Sequence, residues 1–105
     1  MRFTKNQQGT KIQGVFVGQY DYFSDLRGQI WTIHSENGSL AKFVEDKITI
    51  SKKNVLRGLH GDKDTDKLIS CLYGTIQFAV VDARKNSPTR GIVETFFLSD
   101  NDPKY

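Results

Sequence analysis

Leu68-Ile69-Ser70-Cys71-Leu72-Tyr73-Gly74-Thr75-Ile76-Gln77-Phe78-Ala79-Val80-Val81 reads as two apolar arms about a central glycine. In the second arm Ile76, Phe78 and Val80 alternate with Gln77, Ala79 and Val81. That period of two places one set on each face of a pleated strand. The first arm, Leu68–Tyr73, is expected to return against it as a hairpin closed at Gly74. Cys71, the only cysteine, sits among apolar neighbours and reads as a buried structural thiol. Asp82 continues the Ile76–Val80 face, where an acid is costly unless it is paired or hydrogen-bonded. It can orient an imidazole or cap the following turn.

Outward from this stretch the pattern stays β. Ile92–Leu98 reads as a last strand after the loop Lys85–Arg90, and the chain then runs into polar Asp100–Tyr105. On the N-terminal side, Met1–Thr10 is a polar arm or edge strand. Val15–Val17 and the cluster Tyr20, Tyr22 and Phe23 begin the strand pattern. Asp25-Leu26-Arg27-Gly28 predicts a turn, and Gln29–Ile33 a strand anchored by Ile30 and Trp31. Asn37-Gly38, within Ser35–Ser39, carries a strong turn signal. Leu40–Ile50 predicts a half-exposed strand. No stretch has helical periodicity, so short strands with turn residues between them imply an all-β sandwich or barrel in one domain, residues 1–105.

Val55-Leu56-Arg57-Gly58-Leu59-His60-Gly61-Asp62-Lys63-Asp64-Thr65-Asp66-Lys67 carries the chemistry. Within it Arg57, His60 and Lys67 supply two fixed cations and a group that titrates near neutrality. Such a set suits a site that grips an anion and moves a proton. In a regular strand, residues three apart point to opposite faces. Arg57 and His60 therefore share a face only if the strand is interrupted between them, and Gly58 is where interruption is easiest. Asn54–His60 is expected to be a strand ending in a functional corner, with an exposed Asp- and Lys-rich loop beyond it.

The totals narrow the function. The chain has 105 residues, 37% hydrophobic and 26% charged, with a net charge of +3. Acids and bases alternate instead of clustering, so a small phosphorylated ligand fits better than a nucleic acid. Only His34 and His60 are present, in separate segments, and no metal-ligand cluster is visible. Phosphate-loop glycines and a nucleophile-elbow serine are also absent. No apolar run is long enough to span a membrane, and a single cysteine fits a cytoplasmic setting.

In order along the chain, Asp25-Leu26-Arg27-Gly28, Phe43-Val44-Glu45-Asp46, Val55-Leu56-Arg57-Gly58-Leu59-His60, Lys67-Leu68-Ile69, Val81-Asp82-Ala83-Arg84, Ser87-Pro88-Thr89 and Leu98-Ser99 resemble the dTDP-4-dehydrorhamnose 3,5-epimerase family. The resemblance implies a cupin-like jelly roll and a nucleotide-sugar 3- and/or 5-epimerase of deoxysugar or surface-polysaccharide biosynthesis. By it, His60 is the base that removes the proton beside the 4-keto group, and Lys67 the cation that stabilises the enolate oxygen. Arg57 and Arg27 are substrate and nucleotide-phosphate contacts. Glu45 and Lys47 occupy substrate-binding positions where the family commonly has Gln and Asn. Gly61 and Asp62 stand where it has an aromatic and a Gln, and Thr32 where it has an acid. The His60-Gly61-Asp62 form is more similar to the branch acting on other nucleotide sugars, including 4-keto heptoses.

The resemblance implies no cofactor and no metal, a homodimer that exchanges N-terminal strands, and neither nucleic acid nor membrane as partner. It also implies an incomplete C-terminus, because the family's Tyr acid, second His and base-pairing Asp have no matching positions. The alternative expectation is a non-catalytic cupin-like domain that binds a sugar nucleotide or serves assembly.

Overall fold

The computed structural model describes residues 7–33 and 43–105, and among them every regular element is a strand. The all-β expectation holds. Six strands form three antiparallel pairs: β1 (Gln7–Gly9) with β2 (Phe16–Gly18), β3 (Asp21–Asp25) with β4 (Gly28–Thr32), and β5 (Thr75–Val81) with β6 (Val93–Ser99). His34, the turn expected at 35–39, and residues 1–6 and 40–42 lie outside the described residues.

The β3–β4 pair forms where the turn was expected. Asp25 pairs with Gly28, leaving Leu26 and Arg27 as a two-residue loop. Gly28 has a φ of 130°, which a side chain rarely tolerates. The Asp25 carboxylate accepts from the Arg27 backbone N–H at 2.8 Å and from its Nη2 at 2.6 Å, so the loop is closed by its own side chains.

β5 matches the period-two reading, but its partner differs from expectation. It pairs along its whole length with β6, from Thr75↔Ser99 to Val81↔Val93. Residues 68–73 form no strand. They form a loop that buries Cys71 and leaves Leu72 and Tyr73 exposed, and the Cys71 thiol is directed to the carbonyls of Tyr73 and Gly74, at 3.4 and 3.3 Å. Gly74 has a φ of 78° and redirects the chain into β5. Its N–H is held by the Asp100 carboxylate at 2.7 Å, and its carbonyl accepts from the Asp100 N–H at 3.0 Å.

The expected strands at 40–50 and 54–60 are also corrected: residues 43–50 and 54–60 join no ladder. Both stretches mix apolar and charged residues, as an exposed strand does, yet among the described residues no strand pairs with them. Val44, Ile48, Ile50 and Leu56 are each more than four-fifths exposed as a result.

The core is small and gathers around tyrosines. Tyr20 and Tyr105 are buried with ring centroids 4.7 Å apart, and Trp31 stacks on Tyr20 at 6.4 Å. The Tyr20 hydroxyl is hydrogen-bonded to Ser70. Residues 103–105 do not trail away as a polar end. Gly18 and Tyr105 exchange both backbone hydrogen bonds at 3.1 Å, and Tyr20 N–H donates to the Pro103 carbonyl at 2.7 Å.

Candidate functional site

Arg57 and His60 flank a real interruption. Gly58 has a φ of 109°, and a Cβ built there would meet the His60 backbone nitrogen at 3.7 Å and its imidazole Nδ1 at 4.0 Å. The ring thus folds back over the glycine. The corner expected at Gly58 is present, on an extended segment and not at a strand end.

Arg57 is oriented from that segment. Its Nε donates to Ser51 Oγ at 2.9 Å and its Nη2 to the Ile50 carbonyl at 3.4 Å. Sequence reasoning missed Ser51; a hydroxyl six residues before an arginine gives no signal of its own. Glu45 and Lys47 form an exposed ion pair at 3.0 Å. At the β3–β4 turn, Arg27 is paired with Asp25 at 2.6 Å. That partner lowers the Asp25 pKa, chiefly through the side-chain hydrogen bond and then the backbone one.

Lys67 is exposed and lies near enough to Asp62 to help hold that carboxyl below its ordinary range. The larger causes there are hydrogen bonds from the Thr65 side chain and the Asp64 backbone. Among the seven residues expected at the site, hydrogen bonds and ion pairs join Glu45 to Lys47 and no other pair. The rest are displayed separately, His60 and Lys67 both in open solvent.

Asp82 is the exception to this exposure. Its side chain is 1% exposed. Oδ1 accepts from the Arg84 backbone N–H at 3.1 Å and its Nε at 2.9 Å. Oδ2 accepts from Arg84 Nη2 at 2.9 Å, Ser87 Oγ at 2.5 Å and Thr89 Oγ1 at 2.6 Å. Arg84, then Ser87, then Thr89 hold the carboxyl well below the usual carboxylate range. Of the two roles open to it, this geometry matches the cap of the β5–β6 connection. The same connection and the start of β6 grip the 10–15 turn: Arg84 Nη2 donates to the Gln13 carbonyl at 2.6 Å, Gln13 N–H to Thr89 Oγ1 at 3.1 Å, and Ile12 N–H to Oε1 of Glu94 in β6 at 2.8 Å.

Among the described residues no group of three or more His, Cys, Asp and Glu is placed to hold a metal ion, and no helix is long and apolar enough to cross a membrane. Fold and site together define an all-β protein whose cations and imidazole are shown on turns and on one extended segment. Residues 9–105 match the family model for dTDP-4-dehydrorhamnose 3,5-epimerase, and the chain belongs to that family.

Relatives bearing that name include proteins from Salmonella typhimurium, 37% identical over 91 residues, and Methanothermobacter thermautotrophicus, 36% identical over 98. The Escherichia coli protein is 35% identical over 91 residues. These matches cover 78%, 87% and 78% of this chain but 50%, 53% and 49% of the relatives. The chain therefore spans about half the length of the curated relatives it matches.

Proposed function

We propose that the chain is the portion of a nucleotide-sugar 3- and/or 5-epimerase that carries the base, acting on a nucleotide-diphosphate 4-keto sugar in the cytoplasm. The observation that carries this reading is the Gly58 corner, which bends Arg57 and His60 away from strand geometry within a segment of family sequence. In the reaction His60 takes the proton from the carbon beside the ketone. The electron pair left behind moves onto the carbonyl oxygen, and Lys67 offsets the charge that grows there. Return of a proton to the opposite face inverts the carbon. The acid for that step is assigned to the part of the family length that this chain does not span. Arg57 and Arg27 contact the substrate and its phosphates, Glu45 and Lys47 complete substrate binding, and two copies form a homodimer. Neither cofactor nor metal enters this scheme.

A second reading is favoured by one observation: the expected site residues stand apart and exposed. On that reading the chain binds a sugar nucleotide without turning it over. Solvent deuterium uptake separates the two. The chain and a His60→Asn variant are incubated in D2O with a panel of 4-keto nucleotide sugars and the sugars followed by mass spectrometry. Uptake at C3 or C5 that disappears in the variant supports the epimerase. Binding of the same sugars without uptake refutes proton abstraction by this chain and leaves the binding domain.

A further inference from the structure

A tight turn sets Ser51 beside Arg57. Lys52-Lys53-Asn54-Val55 reverses the chain, and the Val55 N–H donates to the Lys52 carbonyl at 3.3 Å. Asn54 has a φ of 64°, in the left-handed region that asparagine tolerates better than most side chains. Ser51 before the turn and Arg57 after it, six positions apart, come within hydrogen-bond reach.

The bonds that result occupy one edge of the guanidinium. Nε donates to Ser51 Oγ at 2.9 Å, and Nη2 to the Ile50 carbonyl at 3.4 Å. A guanidinium carries five N–H donors in one plane. These two bonds use the edge made by Nε and one N–H of Nη2. Arg57 makes no other hydrogen bond or ion pair among the described residues. The edge made by Nη1 and the second N–H of Nη2 therefore keeps two parallel donors, the spacing that two oxygens of one phosphate accept. Lys52 and Lys53 add charge nearby, but an ammonium has no such fork. An arginine already held in this way loses less side-chain freedom when a ligand arrives.

We propose that Ser51 is a positioning residue for Arg57, its hydroxyl aiming the Nη1–Nη2 edge at a phosphate of the nucleotide-diphosphate sugar. This rests on the reading of Arg57 as a substrate contact and adds the residue that orients it. Calorimetric titration with dTDP-glucose, UDP-glucose and GDP-mannose, which share the diphosphate and differ in base, tests it. The chains compared are the unaltered one, Ser51→Ala, Ser51→Thr, Arg57→Ala and the double variant Ser51→Ala with Arg57→Ala, with circular dichroism as the check on folding. Both side chains are exposed, so none of these changes opens a cavity. Ser51→Ala is expected to weaken binding about 3- to 10-fold, and Ser51→Thr, which keeps the hydroxyl, to restore it. In the double variant the loss of Ser51 should add nothing to the loss of Arg57. An equal further loss there overturns the proposal, because Ser51 then acts through the turn or the ligand and not through Arg57. Full-strength binding by Ser51→Ala overturns it too, and weak binding by Arg57→Ala leaves the reading of Arg57 standing in either case. If Arg57→Ala binds as well as the unaltered chain, or the unaltered chain binds none of the three, that reading fails and the proposal with it.

Discussion

Gly18 shows how much one missing side chain can matter. The Tyr105 ring lies directly over it, so that a Cβ at position 18 would fall inside contact distance of Tyr105 Cζ and Oη. The same two residues exchange their backbone hydrogen bonds, so neither can move away without losing both. Burial raises the Tyr105 pKa, and its hydroxyl has no hydrogen-bond partner among the described residues. The ring is held by packing against Tyr20 and by the Gly18 backbone. Gly18→Ala is therefore expected to destabilise the chain by about 1–3 kcal/mol, the usual cost of overpacking. Thermal unfolding measures this, and an unchanged Tm would show that Tyr105 is not seated there.

Among the elements, the β5–β6 connection is the most completely bonded. Its Asp82 carboxylate is ionised well below the usual range, so its unfolded pKa is the higher of the two. The stabilisation it supplies is complete above an unfolded pKa near 3.9 and is lost as pH falls below that value toward the folded one. Asp82→Asn should lower the Tm at neutral pH and flatten the acid limb of the Tm profile. If the variant keeps both the Tm and the acid limb of the unaltered chain, the carboxylate is not the clasp described here.

This element also marks what the sequence could disclose. The alternation of Ile76, Phe78 and Val80 was enough for β5, and Asp25-Leu26-Arg27-Gly28 for a turn, because both depend on local geometry. The partner of β5 was not legible. Residues 68–73 are equally apolar but lack alternation, and they form a loop in which the Cys71 thiol donates to the carbonyls of Tyr73 and Gly74. At the site, Gly58 announced its corner through its conformational freedom. Ser51's hold on Arg57 and Asp82's enclosure by Ser87 and Thr89 depend on contacts that no local pattern encodes.

For the molecule as a whole, the radius of gyration of 14.7 Å exceeds the roughly 13 Å of a compact domain of this length. Stability is correspondingly uneven. β5–β6 has seven paired positions on each strand, whereas residues 43–70 join no ladder among the described residues. Amide exchange should divide the same way, with the 43–70 segment exchanging roughly 100-fold or more faster than the β5–β6 ladder. Uniform protection across the two would contradict this division.

Five of the proposed site residues, Glu45, Lys47, Arg57, His60 and Lys67, ride on that segment. A ligand that draws them together must order backbone as well as make contacts, so part of its interaction energy goes into immobilising the chain. Calorimetry would register this as favourable enthalpy set against a large entropic penalty, with a negative heat-capacity change as Val44, Ile48 and Leu56 leave water. Rigidifying residues 43–70 would then tighten ligand binding without adding a single contact to it.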